Sequence, residues 1–276
     1  MFAPLVSLSE TLVEDRGVFR AGGLRARALA ALDRATFAAA DLVLADTQAH
    51  AAYLVELGAV RARVAAWPLG VEPEFLAAVP ATPAARRVLF YGHHLPLHGV
   101  ATIVAAAEQL PADVEIVLIG NGPERAALER RGQRGGARLV WRDDVPFAEL
   151  PDELARAAVV LGIFGAGRKA AMVVPNKVWQ AAAAGRPVVT RDSPALREML
   201  TPDEHCVAVP AADPAALAAA LRALLDEPAR GERLGRAARA HVLERFAPAR
   251  QAARLRALLA DHLGAAVPAA PGTAAA

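Results

Sequence analysis

The chain has 276 residues, 55% of them hydrophobic and 22% charged, which excludes a disordered or fibrous protein. Its single cysteine, Cys206, excludes a disulfide framework and a multi-cysteine zinc site. The formal net charge of +2 at pH 7 is too balanced to require nucleic acid, and no apolar run reaches the roughly 18 residues that span a bilayer.

In chain order, FAPLVSL (2–8) reads as a strand. The opening MFAPLVSLSE lacks the basic stretch of a signal peptide, so the expected location is cytoplasmic, with contact at a membrane surface left open. Residues 22–40 form an Ala/Arg/Leu helix, and ADLVLADT (40–47) is a strand. Thr47 is placed to cap a helix that stops at Gly58. RVAAWPLG then leads into a Pro-rich link at 71–83. These elements are too few to close a sheet alone, and the apolar side of helix 22–40 is expected to be uncovered and to favour self-association.

From residue 86 a strand–helix rhythm repeats. Six apolar strands are expected at 86–92, 114–120, 137–142, 159–165, 186–191 and 206–210. Helices are expected at 100–110, 125–134, 147–157, 176–185 and 194–200 between them. Strands alternating with helices specify a parallel sheet covered on both faces, and unbroken apolar strands fit that burial. Asp213 and Pro214 then open a helix as N-cap and first helical residue. Two more helices precede a low-complexity tail.

Ligands of open parallel sheets bind beyond the C-terminal ends of strands, and four loops meet that rule. GHHLPLHG (92–99) joins flexible Gly92 and Gly99 to the start of helix 100–110, whose free N–H groups attract anions. It carries His93, His94 and His98, three of the seven histidines. Its residues alone leave an anion site, a metal site and an ordinary turn open. The second loop, with Gly120 and Gly122, is a bare G-x-G without a dinucleotide fingerprint. The third, around Arg142 and Val145, suits a base edge or a ribose, or is a plain solvated loop. The fourth, GAGRKAAMVVPNK (165–177), holds the only two lysines, Lys169 and Lys177, and ends where Asn176 starts a helix. Cations beside a helix N-terminus suit an anion.

Five segments, in this order and spacing, resemble the retaining glycosyltransferases of family 4: ADLVLADTQAHAAYLVELG, WPLGVEPEF, VLFYGHHLPLHGVATIVAAAEQL, IVLIGNGPE and PNKVWQAAAAGRPVVT. The resemblance implies an α/β, GT-B-like fold: a complete C-terminal Rossmann-like domain with a parallel sheet, plus a partial N-terminal one. It divides the chain into an N-terminal acceptor-side remnant and linker (1–83), a donor-binding domain (84–246), a C-terminal helix (247–263) and a disordered tail (264–276). The implied reaction moves a sugar from a nucleotide-diphospho-sugar to a hydroxyl of a glycan, lipid or small molecule, with retention. No metal or cofactor and no nucleic acid is implied. The same donor domain occurs in GT-B nucleotide-sugar epimerases, and a non-catalytic donor- or partner-binding fragment is the other alternative.

Gly92, His93, His98, Gly99, Asn176 and Lys177 then fall to the phosphates, and Gly120, Gly122, Arg142, Val145 and Gln180 to the nucleoside. His93 and His98 stand where the family often has Arg and Lys. Met172 and Gln180 stand where it has two glutamates, so both acids are absent. Lys177 is expected to be a permanent cation, and the histidines to titrate near the unperturbed value of about 6.5. No catalytic residue is assigned.

Overall fold

A computed structural model describes residues 1–4, 7–15, 17–77, 83–131 and 134–264. The expected tail lies outside the described residues except for Gly264. The first part of the chain holds α1 (Leu24–Ala39), β1 (Val43–Ala45), α2 (Gln48–Glu56), β2 (Val64–Ala66) and the short α3 (Pro73–Leu76). β1 and β2 form a two-stranded parallel sheet. Of the strand expected at 2–8, residues 5 and 6 lie outside the described residues, and among the described ones Phe2 bridges to Val43; a π-helical stretch follows at Glu10–Asp15. β2 falls within RVAAWPLG, which is too short to show a period. Leu24 and Leu32 of α1 are exposed, so part of its apolar surface is uncovered.

Thr47 caps α2, with its hydroxyl accepting from the His50 N–H at 3.0 Å. A second cap comes from far along the chain. The Glu198 carboxylate accepts from the backbone N–H groups of Gln48 (2.6 Å) and Ala49 (2.9 Å). Both are orphan donors of a helix start, and the anion complements its dipole. Glu198→Ala is expected to cost about 1 kcal/mol. For a chain of this size that is a loss of about 2–4 °C in Tm, readable by circular dichroism.

The second part alternates β3 (Arg87–Tyr91), α4 (Val100–Ala107), β4 (Glu115–Ile119), α5 (Arg125–Arg131), β5 (Arg138–Arg142), α6 (Leu150–Arg156), β6 (Val159–Leu161), α7 (Arg168–Met172), α8 (Asn176–Ala183), β7 (Val188–Arg191), α9 (Pro194–Met199) and β8 (Val207–Val209). Three helices close the chain: α10 (Pro214–Asp226), α11 (Pro228–Arg245) and α12 (Pro248–Leu263). Asp213 caps α10 by accepting from the Ala216 N–H at 2.9 Å.

The six strands form one parallel sheet in the order β5-β4-β3-β6-β7-β8. The side-chain alternation of β3 explains its two faces. Val88 and Phe90 enter a core with Ile103 of α4 and Leu221 of α10, while Leu89 and Tyr91 enter one with Trp179 of α8 and Val242 of α11. Val71 and Phe75, which lie within the expected Pro-rich link, belong to this second core. In return, Leu255, Leu258 and Leu259 of α12 pack on Leu42, just before β1, and on Leu44 and Ala65 of the two-stranded sheet. The two parts therefore exchange apolar elements. No helix among the described residues is long and apolar enough to cross a membrane.

Sheet order also fixes where a ligand fits. The chain runs outward from β3 to β4 and β5, then returns to β6 on the other side of β3. Such a reversal opens a crevice beyond the carboxyl ends of the two central strands. Residues 92–99 follow β3 and residues 162–167 follow β6, so both line that crevice.

Candidate functional site

Hydrogen bonds fasten the two loops. Phe164 N–H donates to the His98 carbonyl at 3.0 Å and Gly165 N–H to that of Leu97 at 3.1 Å. The contact is close enough to require glycine. A Cβ added at Gly99, where φ is +64°, would stand 2.6 Å from Gly165 N and Phe164 C. Gly99 then leads directly into α4 as its N-cap, with no side chain capping the helix start.

Lys177, in the first turn of α8, is 6% exposed. Its ammonium lies 4.1 Å from the centre of the Phe90 ring and has no hydrogen-bond partner among the described residues. It also stands 3.1 Å from where a Cβ would sit on Gly92. A side chain there would displace it, so glycine keeps the cation beside the loop. Burial pulls the Lys177 pKa down to about 7. This corrects the sequence-based expectation of a permanent cation: near neutrality the group is half charged.

His98 and His94 are corrected in the same direction. Burial, reinforced by the Lys177 charge, drives the His98 pKa down to about 3. Its Nδ1 is tied to the His93 carbonyl. His98 is thus neutral at pH 7 and does not act as a cation in the free protein. His94 is fully buried between Phe90 and Trp141, with ring centres 5.9 and 5.6 Å away. Its pKa falls to about 4, from burial first and then from the Arg125 and Lys177 charges. His93 and Asn176 are exposed at the rim.

The residues expected near the nucleoside divide. Gly120 and Gly122 lie beside the first loop. Gly92 N–H donates to the Ile119 carbonyl (3.0 Å) and His94 N–H to that of Asn121 (2.9 Å). Val145 packs against the second core. Arg142 is engaged elsewhere, donating to Glu153 at 2.8 Å. Gln180 is 4% exposed and held at both ends. It accepts from the Tyr91 hydroxyl at 2.7 Å, and its amide donates to both Glu72 oxygens at 3.1 Å. Sequence reasoning did not find Glu72 because the pair is 108 residues apart.

The fourth loop contains α7, whose 5 residues are too few to show a helical period. The first part of the chain grips it. Thr47 Oγ1 donates to the Met172 carbonyl at 2.5 Å, and the Arg168 guanidinium lies 4.4 Å from the centre of the Tyr53 ring and pairs with Glu56. Arg191 donates to the Gly165 carbonyl and, at 3.4 Å, to that of Gly167.

Residues 98–257 match the family described as "Glycosyl transferase-like". That span covers more than half of the chain, including the crevice loops after β6. The chain belongs to the glycosyl transferase-like family. It is 32% identical over 225 residues to a D-inositol 3-phosphate glycosyltransferase of Xylanimonas cellulosilytica, covering 74% of this chain and 53% of that protein. It is also 32% identical over 146 residues to a phosphatidyl-myo-inositol mannosyltransferase of Mycolicibacterium smegmatis, covering 51% of this chain and 36% of that one. The chain thus spans about half or less of these relatives' length. Among solved structures, it resembles Anabaena HepE in complex with UDP and glucose, with a TM-score of 0.71, 15% identity and coverage of 94% and 70%. It also resembles sucrose-phosphate synthase of Thermosynechococcus elongatus, with a TM-score of 0.72, 22% identity and coverage of 94% and 66%. At such identities the likeness shows the fold, which is α/β and GT-B-like.

Proposed function

We propose that this glycosyl transferase-like chain binds a nucleotide-diphospho-sugar in the crevice between residues 92–99 and α8, as the donor-binding part of a retaining glycosyltransferase of family 4. The observation that carries this reading is the buried, unpartnered ammonium of Lys177. A buried charge without a partner is costly. A cation in the first turn of a helix is also opposed by the dipole. A diphosphate in the crevice offsets both costs and accepts hydrogen bonds from the N–H groups at the start of α4.

Transfer requires a leaving group whose negative charge grows as the sugar–phosphate bond breaks. Lys177 and the α4 N–H groups are fixed donors aimed at that charge, which is how preorganised sites lower such barriers. The acceptor hydroxyl comes from a glycan, lipid or small molecule; the relatives named for inositol phosphate and phosphatidylinositol support a polyol acceptor. Residues 1–83 supply the acceptor side and 84–246 the donor side, with 247–263 as a strap back to the first part.

The test is titration calorimetry of the chain with UDP, GDP and the matching monophosphates. One diphosphate is expected to bind at least about tenfold tighter than its monophosphate, the worth of one charge-assisted hydrogen bond. Equal affinities would remove the diphosphate site. Transfer is then scored with the matching nucleotide-sugar by product analysis: a new glycosidic bond of unchanged anomeric configuration supports the transferase, and an isomerised free sugar supports the epimerase.

A further inference from the structure

We propose that His50, oriented by Asp46, is a catalytic base that takes the proton of the acceptor hydroxyl at its Nε2 atom. The proposal rests on the donor-binding reading above and adds the group that activates the acceptor. Asp46 directly follows β1, and Trp67 directly follows β2. The pair therefore stands beyond the carboxyl ends of the first sheet, where parallel sheets place their ligands.

The geometry leaves one nitrogen free. His50 lies in the first turn of α2, with Nδ1 2.5 Å from Asp46 Oδ1. An ionised carboxylate only accepts, so Nδ1 carries the hydrogen and Nε2 keeps its lone pair. His50 is 5% exposed, and its Nε2 makes no hydrogen bond among the described residues. That atom is not one of the sealed, unpartnered polar atoms, so it reaches solvent. An imidazole fixed through one nitrogen by a carboxylate, with the other nitrogen open, is the arrangement that activates a hydroxyl.

What Nε2 can meet follows from the cavities. Asp46, His50, Trp67, Ala3 and Pro4 are among the residues lining a cavity of about 60 Å³. Such space admits a hydroxymethyl group or a few waters, since about 10–15 Å³ holds one water. It shares Trp67 and Leu69 with a groove of about 460 Å³ that extends to Asn176. Small-molecule pockets run from roughly 300 to 1,000 Å³. Asn176 opens α8 next to Lys177, so the shared lining leads from His50 to the cation of the donor crevice. Thr47 ties the two ends together: its Oγ1 accepts from the His50 N–H at 3.0 Å and donates to the Met172 carbonyl at 2.5 Å.

In the step, the acceptor oxygen bonds to the anomeric carbon of the donor sugar while its proton passes to His50 Nε2. The bond from that carbon to the phosphate oxygen breaks, and its electron pair leaves with the nucleoside diphosphate. The imidazolium then formed is opposed by the α2 dipole. Asp46, and the Glu198 carboxylate on the N–H groups of Gln48 and Ala49, balance it. The proton finally passes to solvent.

The test uses the full chain with UDP-glucose and GDP-mannose as donors and myo-inositol or water as acceptors. Release of nucleoside diphosphate gives the rate, and calorimetry gives donor affinity. His50→Asn keeps a hydrogen-bond donor for Asp46 but has no base, and His50→Ala leaves room for added imidazole. Both are expected to lower kcat about a hundredfold or more while donor affinity stays within about twofold. Imidazole is expected to restore part of the rate of the Ala variant only. Asp46→Asn, a change at a positioning residue, is expected to lower kcat with KM little changed. Normal kcat in His50→Asn would overturn the base, as would parallel loss of donor affinity with no rescue by imidazole. So would a chain that binds a donor yet releases no diphosphate. Absence of diphosphate binding by the unmodified chain would overturn the donor reading, and this inference with it.

Discussion

Lys177→Met is expected to weaken nucleoside diphosphate binding by about tenfold to a hundredfold at pH 7 and below, the worth of one or more hydrogen bonds to a charged group. The loss is expected to shrink at higher pH, and the sign follows from burial. In the free protein Lys177 has a pKa near 7, lowered by desolvation. A bound diphosphate places opposite charge beside it and raises that value. Affinity is therefore highest below about pH 7 and falls as pH rises from there through the bound pKa. The ligand's own protonation near pH 6 is common to variant and parent, so their difference isolates the lysine. A pH-independent difference, or none, would show that the phosphates lie elsewhere.

The same substitution is expected to stabilise the unliganded fold. The folded pKa lies below the ordinary lysine value of 10.5, so the charged form is disfavoured by folding. The penalty is absent above the unfolded value, grows as pH falls towards 7 and is constant below. The Met variant should gain most in Tm at pH 7 and below and nothing near pH 11. A residue that weakens the fold but strengthens ligand binding is what a binding site requires.

Gln180→Glu is expected to destabilise the protein, although the resemblance to family 4 implies an acid at that position. The Gln180 amide donates to both oxygens of Glu72 at 3.1 Å. A glutamate at 180 would replace that donor with a second carboxylate at a position only 4% exposed. Two carboxylates sharing a site cannot both ionise freely, so one must take up a proton. The expected cost at pH 7 is about 2 kcal/mol or more, or roughly 4–8 °C in Tm, with partial recovery at pH 5. Adding Glu72→Gln restores an acid–amide pair with the partners exchanged, so the double variant is expected to regain most of the loss. Equal melting of parent and single variant would show that Glu72 and position 180 are uncoupled.

The strands of the second sheet were legible because each is a short apolar run between turn residues, and all six appear within a few residues of their expected limits. The caps at Thr47 and Asp213 were legible because they depend on three-residue spacing. What was hidden is long-range. Glu198 capping α2, Glu72 holding Gln180 and Glu10 facing Lys169 each join residues more than 100 positions apart, and no local pattern encodes such pairs. The protonation states of Lys177 and His98 were misread for the same reason: sequence supplies the group, and only packing supplies its desolvation.

A crystal structure of the chain with the nucleoside diphosphate that binds it tests the central claim most directly. The account predicts phosphate oxygens within hydrogen-bond distance of Lys177 Nζ and of the backbone N–H groups that open α4. A diphosphate bound anywhere else, with the Lys177 ammonium still unpartnered over Phe90, would contradict it.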